Sequence, residues 1–159
     1  MPRRKLRIKK LVNPDPVHSS VLVEKVINRS MKDGKKSVAS AQVYEALKIV
    51  SAKTGEDGVK MLEKALDNIK PVMEVRPRRI GGAAYQVPMQ VRGTRKESLG
   101  VRWLITSARL RSNSEFHTYA EKLAAEIVDA SGGEGAAVKK RLDMERVAEA
   151  NRAFAHFNW

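Results

Sequence analysis

The stretch from Pro71 to Val91, PVMEVRPRRIGGAAYQVPMQV, constrains the chain most, because it is the one long segment that cannot be a helix. Pro71, Pro77 and Pro88 exclude a helix interior, since proline lacks the amide hydrogen and its ring clashes with the preceding turn. On either side of Ile80-Gly81-Gly82-Ala83, Met73/Val75 and Tyr85/Val87/Met89/Val91 alternate with the period of two that a strand requires. A Gly-Gly pair supplies the positive φ angles of a tight reversal, so the segment reads as a two-stranded hairpin with Arg76, Arg78 and Arg79 leading into its tip. Two strands alone are marginal in water, and Pro and Arg suit an unpaired edge, so the hairpin is expected as a projecting arm. The plainer alternative is a solvated basic loop. Three arginines beside a Gly-rich turn repel one another, which favours an acidic surface to meet them.

Charge placement sharpens this. The net charge of +13 is not spread evenly: residues 1–10 carry six Lys or Arg and no acid, and residues 70–111 carry ten against Glu74 and Glu97. Together these two segments exceed the total by one, leaving a near-neutral remainder. A neutral body with two basic appendages is the footprint of a polyanion binder, with nucleic acid as the leading partner. An anionic membrane attracts the same charge, but neither segment has the apolar face of an interfacial helix. There are no cysteines, which excludes disulfides and thiolate metal sites and fits a reducing cytosol. No apolar run approaches the roughly 20 residues that span a bilayer, and the basic N-terminus has no apolar segment behind it, so a soluble, cytoplasmic protein is expected. The sequon Asn28-Arg29-Ser30 is a chance match in such a setting.

Around the hairpin the chain reads as helices. Met1–Lys10 is too polar and self-repelling to fold alone and is expected as a flexible arm, or else a solvated tail, with Asn13-Pro14-Asp15-Pro16 holding the chain extended to about residue 18. Ser19 or Ser20 caps a first helix with Val23, Val26, Ile27 and Met31 on one face, ended by Gly34. A second helix, about Lys36 to Lys53, aligns Ala39, Val43, Ala46, Leu47 and Val50. A third, about Asp57 to Ile69, aligns Val59, Leu62, Ala65, Leu66 and Ile69. After the hairpin, Thr94-Arg95-Lys96-Glu97 reads as a capping box opening a fourth helix to about Arg111. Val101, Leu104, Ile105 and Ala108 share one side of it, while Leu99, Trp103 and Leu110 fall on another, implying packing on two sides. Arg95, Arg102 and Arg109, spaced by seven, form a row between these faces. Ser112-Asn113-Ser114-Glu115 reads as a second capping box, followed by Phe116, Tyr119, Ala120, Leu123 and Ile127 on a fifth helix broken at Ser131-Gly132-Gly133. A sixth, about Glu134 to Asn151, carries Val138, Leu142, Met144, Val147 and Ala148, with Lys139, Lys140 and Arg141 outward. The aromatic close, Phe154 to Trp159, docks either on its own domain or on another macromolecule. The fold class is thus mainly α: a single domain over 1–159 of six helices, with a basic arm at 1–18, an inserted β-hairpin at 71–91 and a C-terminal tail at 150–159.

Chemistry is not evident. His18, His117 and His156 are scattered without metal-site spacing, Gly34-Lys35-Lys36-Ser37 lacks the earlier glycine and preceding strand of a phosphate loop, and the acids lie on helix faces among Lys and Arg. No catalytic residue, metal site or cofactor is expected. An RNA-processing enzyme would need a nucleophile–base or metal constellation that is missing, whereas a DNA-packaging protein shares the charge argument and is separated only by competition.

Several segments carry a resemblance: PRRKLRIKK at the start, MKDGKKSVA at Met31–Ala39, EVRPRRIGGAAYQVPMQV at Glu74–Val91, RKESLGVRWLITSAR at Arg95–Arg109 and ERVAEANRAFAHFNW at Glu145–Trp159. In combination they are specific, and the chain resembles the bacterial type of the ribosomal small-subunit protein seven family over essentially its whole length. The resemblance implies direct, early binding to the 3′ major domain of small-subunit ribosomal RNA, nucleating assembly of the subunit head. It further implies a place at the subunit interface near exit-site transfer RNA and messenger RNA, with small-subunit proteins nine and eleven as neighbours. Carried over by position, RNA contacts fall on Arg3, Arg4, Lys5, Arg7, Lys9, Lys10, Lys35, Lys36, Arg76, Arg78, Arg79, Arg92, Arg95, Arg102 and Arg109. Asn158 stands where the pattern leads one to expect a basic residue. Such a protein works by neutralising phosphates and matching a folded RNA junction, not by reading bases along a groove.

Overall fold

A computed structural model describes residues 12–157. The six cationic candidates between Arg3 and Lys10, with Asn158 and Trp159, lie outside them. Six α-helices and one antiparallel hairpin follow in the expected order: α1 (Val21–Ser30), α2 (Lys36–Thr54), α3 (Gly58–Ile69), β1 (Met73–Ile80), β2 (Ala83–Gln90), α4 (Gly93–Leu110), α5 (Tyr119–Ser131) and α6 (Gly135–Ala150). A short 3-10 helix, Arg152–Phe157, closes the described chain.

Where apolar periodicity is strong, the sequence reading and the structure coincide. The five aligned residues of α2 are all buried, and α3 buries Leu62, Ala65, Leu66 and Ile69 completely, with Asp57 capping its start by accepting from Val59 N. The two helices approach so closely that a Cβ at Gly58 would lie 2.6 Å from the Leu47 carbonyl oxygen, which excludes any larger residue there. At the centre lies α5, packed by α2, α3, α4 and α6. Its Ala120, Leu123, Ala124, Ile127 and Ala130 belong to the main apolar cluster. Each large aliphatic residue buried in this way contributes about 1.5–3 kcal/mol relative to exposure.

Four expectations change. The helix α4 begins at Gly93 with Arg92 before it and no side-chain cap, because Glu97 pairs with Lys25 of α1 instead of turning back on Thr94. The capping box of α5 is Thr118–Glu121, not Ser112–Glu115; Thr118 Oγ1 accepts from Glu121 N and the Glu121 carboxylate accepts from Thr118 N and His117 N, so Phe116 precedes the helix. The helix α1 ends at Ser30, before Gly34. On α6 the expected Val138 and Ala148 are buried, together with Ala137, but Leu142 and Val147 are exposed, and Leu110 of α4 is exposed as well. Arg141 is only half-exposed and pairs with Glu145, one turn on.

The hairpin turns at the expected Gly-Gly: Ile80 pairs with Ala83, and Gly81 and Gly82 have φ +57° and +89° in the two-residue turn that suits twisted strands. Its base is closed by Val91 N donating to the Val72 carbonyl at 3.0 Å. Val87 and Pro88 are buried near that base, yet Val87 stands apart from the main cluster, and the tip from Gly81 to Ala84 is exposed. The aromatic close docks on its own chain: Phe154 and Phe157 pack 5.2 and 5.5 Å from the ring of Tyr85 on β2.

Candidate nucleic-acid interface

The candidate cations among the described residues fall into two groups. The first surrounds the hairpin base. Glu74 on β1 is 4% exposed, and its carboxylate accepts from Arg76 Nε at 2.7 Å and from Arg95 Nε at 2.9 and 2.7 Å. Strand alternation places Arg78 on the same side as Arg76, opposite Tyr85, whereas Arg79 lies on the other side opposite Ala84. Arg79 and Arg92 are exposed; Arg78 is half-buried. From Arg95 the row on α4 continues through Arg102 and Arg109, all three exposed.

The second group lies where α1 gives way to α2. Arg109 Nη2 donates to the carbonyl of Ser30 at 2.9 Å, satisfying one of the orphan acceptors at the end of α1. Thus the last member of the α4 row meets the α1–α2 turn, and Arg109, Lys35 and Lys32 line one open pocket of about 380 Å³ with Gln42 and Tyr119. The hydroxyls of Tyr119 and Ser30 are 2.9 Å apart, and burial pushes the Tyr119 phenol up, offset in part by Ser30 and Arg109. Lys36 is exposed and paired with the buried Glu24. Lys32 was not singled out in the sequence; its place beside Lys35 in MKDGKK was the available signal. Arg29, exposed on α1 and lining a second pocket with Lys25 and Ser98, carried no local signal.

Not every cation of the basic segment faces outward. Arg111 is largely buried, and its guanidinium binds Glu126 at 2.7 Å and also pairs with Asp129. Burial opposes its charge, but these two carboxylates more than compensate and raise its pKa. Lys122 donates to the Arg111 carbonyl at 2.7 Å and to Asn113, fixing the loop after α4. The acids likewise depart from the solvated faces expected of them: Glu24, Glu74 and Glu126 are buried. Near the N-terminal side, Asp15 is buried and accepts from the Tyr44 hydroxyl and from the amides of Val17 and His18, so the chain is pinned to α2 just before α1.

Among the described residues no His, Asp and Glu cluster suits a metal ion, and no helix is long and apolar enough to cross a membrane. Exposed guanidinium and ammonium groups, several held by fixed acids, line a surface running from the hairpin along α4 to the α1–α2 turn. A surface of this charge suits a polyanion such as nucleic acid. The family model described as ribosomal protein S7p/S5e matches residues 2–152. Similar relatives are each named small ribosomal subunit protein uS7: those of Caldanaerobacter subterraneus and Caldicellulosiruptor saccharolyticus are 54% identical with both chains fully covered, and that of Fervidobacterium nodosum is 50% identical over 99% of each. The chain belongs to the ribosomal protein S7p/S5e family, a structural and non-enzymatic one.

Proposed function

We propose that this protein is a cytoplasmic structural constituent of the small ribosomal subunit that binds the 3′ major domain of small-subunit ribosomal RNA directly and nucleates assembly of the subunit head. The observation that carries the reading is the family match over nearly the whole chain, and the placement of the described candidates supports it. Lys35, Lys36, Arg76, Arg79, Arg92, Arg95, Arg102 and Arg109 are exposed on the body, and Arg78 is half-exposed beside them. These residues, with the six cations of residues 1–10, neutralise phosphates; recognition comes from the fit of a rigid helical body with a projecting hairpin to a folded RNA junction. The hairpin extends toward exit-site transfer RNA and messenger RNA at the subunit interface, and proteins nine and eleven of the small subunit are the neighbours.

The test is retention on small subunits through a high-salt wash, together with footprinting of the ribosomal RNA. Protection confined to the 3′ major domain is expected. Affinity for that domain should fall steeply with salt, by about 0.7–0.9 log units per phosphate contact for each tenfold rise, and deleting residues 1–10 should flatten the slope. Duplex DNA competing as well as the ribosomal domain would overturn the reading in favour of DNA packaging.

A further inference from the structure

Glu74 is an acid in the most basic part of the chain, and it is buried where the hairpin meets α4. Its carboxylate holds two arginines from different elements. Arg76 reaches it with Nε at 2.7 Å and Nη2 at 2.5 Å, and Arg95 reaches both of its oxygens with Nε. Glu74 itself has little freedom, since its backbone is paired opposite Met89 in the strand ladder. The two arginine side chains remain 47% and 50% exposed. Each guanidinium has five N–H donors in a planar fork, so donors remain for a second partner after the contacts with Glu74 are made.

We propose that Glu74 is a positioning residue for RNA recognition: it fixes Arg76 and Arg95 as a preassembled pair whose unused donors meet two phosphates of a folded RNA backbone at set spacing. The inference rests on the ribosomal-RNA reading above. Free arginine side chains lose considerable rotamer entropy when they bind, and here that loss is already taken in the folded protein. The carboxylate also cancels one of the two positive charges. A flexible strand, which binds by charge alone, is therefore held less well, while a folded RNA whose phosphates match the pair gains. The lysine pairs Lys25–Glu97 and Lys36–Glu24 lack this character, because an ammonium is a point charge without a fixed fork. Glu74 thus trades general attraction for discrimination.

The experiment measures binding of the full chain, over a range of salt, to the 3′ major-domain fragment of small-subunit ribosomal RNA and to poly(U). In E74Q the affinity for the fragment should fall roughly tenfold, as for one lost charge-assisted contact. Affinity for poly(U) should rise, with a log–log salt slope steeper by about 0.7, the value of one more phosphate neutralised on a single strand. R95K, which keeps the charge and loses the fork, should weaken fragment binding with no change in the poly(U) slope. Parallel losses on both RNAs in E74Q, or no change on either, would overturn the proposal and leave Glu74 a role in folding only. If E74Q melts below the assay temperature, R95K decides: unchanged fragment affinity overturns the inference. A wild-type chain with no preference for the fragment over poly(U) would overturn the ribosomal-RNA reading, and the inference with it, before any substitution is compared.

Discussion

Replacing Glu126 by alanine should be among the most damaging single changes in this protein, although no RNA is involved. The side chain is fully buried on α5 and joins three helices. One carboxylate oxygen accepts from Ala137 N at 2.8 Å in the first turn of α6; the other accepts from Arg111 Nε at 2.8 Å, just beyond the end of α4. Breaking a buried ion pair by removing one partner costs about 3–5 kcal/mol. Asp129 remains to hold the Arg111 guanidinium, which pulls the figure to the lower end, but the Ala137 amide is left without an acceptor, at about 1–3 kcal/mol. A loss of about 4 kcal/mol is expected, or roughly 8–16 °C in Tm at the usual 2–4 °C per kcal/mol for a chain of this size. Glu126→Gln keeps an acceptor for Ala137 and should lose about half as much. Urea and thermal unfolding followed by circular dichroism measure both variants, and a cycle with Arg111→Ala isolates the pairwise term. A loss below about 1 kcal/mol for Glu126→Ala would refute the argument, since it would mean that water reaches the site and replaces the carboxylate.

The remaining buried and paired groups set further outcomes. Leu123→Ala, at the fully buried centre of α5, should cost about 2–5 kcal/mol in urea unfolding. The Tyr44 phenol is pushed up to about 12, first by its hydrogen bond to Asp15 and then by burial; the stability it contributes is complete below its ordinary value near 10 and is lost as pH rises through 12. Burial pushes the Asp15 carboxyl up, but the Tyr44 hydroxyl and the His18 and Val17 amides outweigh it and hold the group below 3.8, so its contribution is present above that pH and lost as pH falls through the lowered value. The stability difference between wild type and Tyr44→Phe, measured from pH 2 to 11, should therefore be a plateau that falls at both ends; a difference independent of pH would contradict the pairing. Deleting Arg76 to Pro88 with a short Gly linker should leave the main core folded at a modest loss in Tm, because Val87 and the packing of Phe154 and Phe157 on Tyr85 go with it. Head assembly should persist in ribosomes carrying that deletion, with altered exit-site occupancy or frame maintenance; unchanged values for both would remove the hairpin's proposed role.

Local signals were readable in the sequence where one force dominated. Gly-Gly located the hairpin's turn, although the rows Met73/Val75 and Tyr85/Val87/Met89 face opposite sides of it, since Val75 pairs with Pro88. The apolar stripe of α2 named buried residues only, and that of α3 named four while missing Met61 and including the partly buried Val59. Capping was not decided locally, because three Ser/Thr-x-x-Glu windows compete around α4 and α5 and only Thr118–Glu121 closes on itself; Glu97 is drawn off by Lys25 across the fold. The stripe on α6 was right for Val138 and Ala148 but not for Leu142 and Val147, since the inner face is made of small residues, Ala137 and Val138 in the main cluster among them. The buried acids were invisible for a different reason: the partners of Glu74 and Glu126 include Arg95 and Arg111, on separate elements, and no window along the chain contains such a contact. The exposed candidates were legible as charges. Which of them are held in place, and which, like Arg111, are consumed inside the body, depends on tertiary pairing.

The 3-10 helix from Arg152 to Phe157 touches a strand that ends at Gln90. A chain made from its N-terminus therefore completes the arm long before the residues that brace it. At roughly 5–20 residues per second, the delay is about 3–12 s. During that interval Tyr85 has no aromatic partner from the C-terminal segment, and the arm is held by its base alone. The direction in which the hairpin points is accordingly set only after Arg152 to Phe157 have been made.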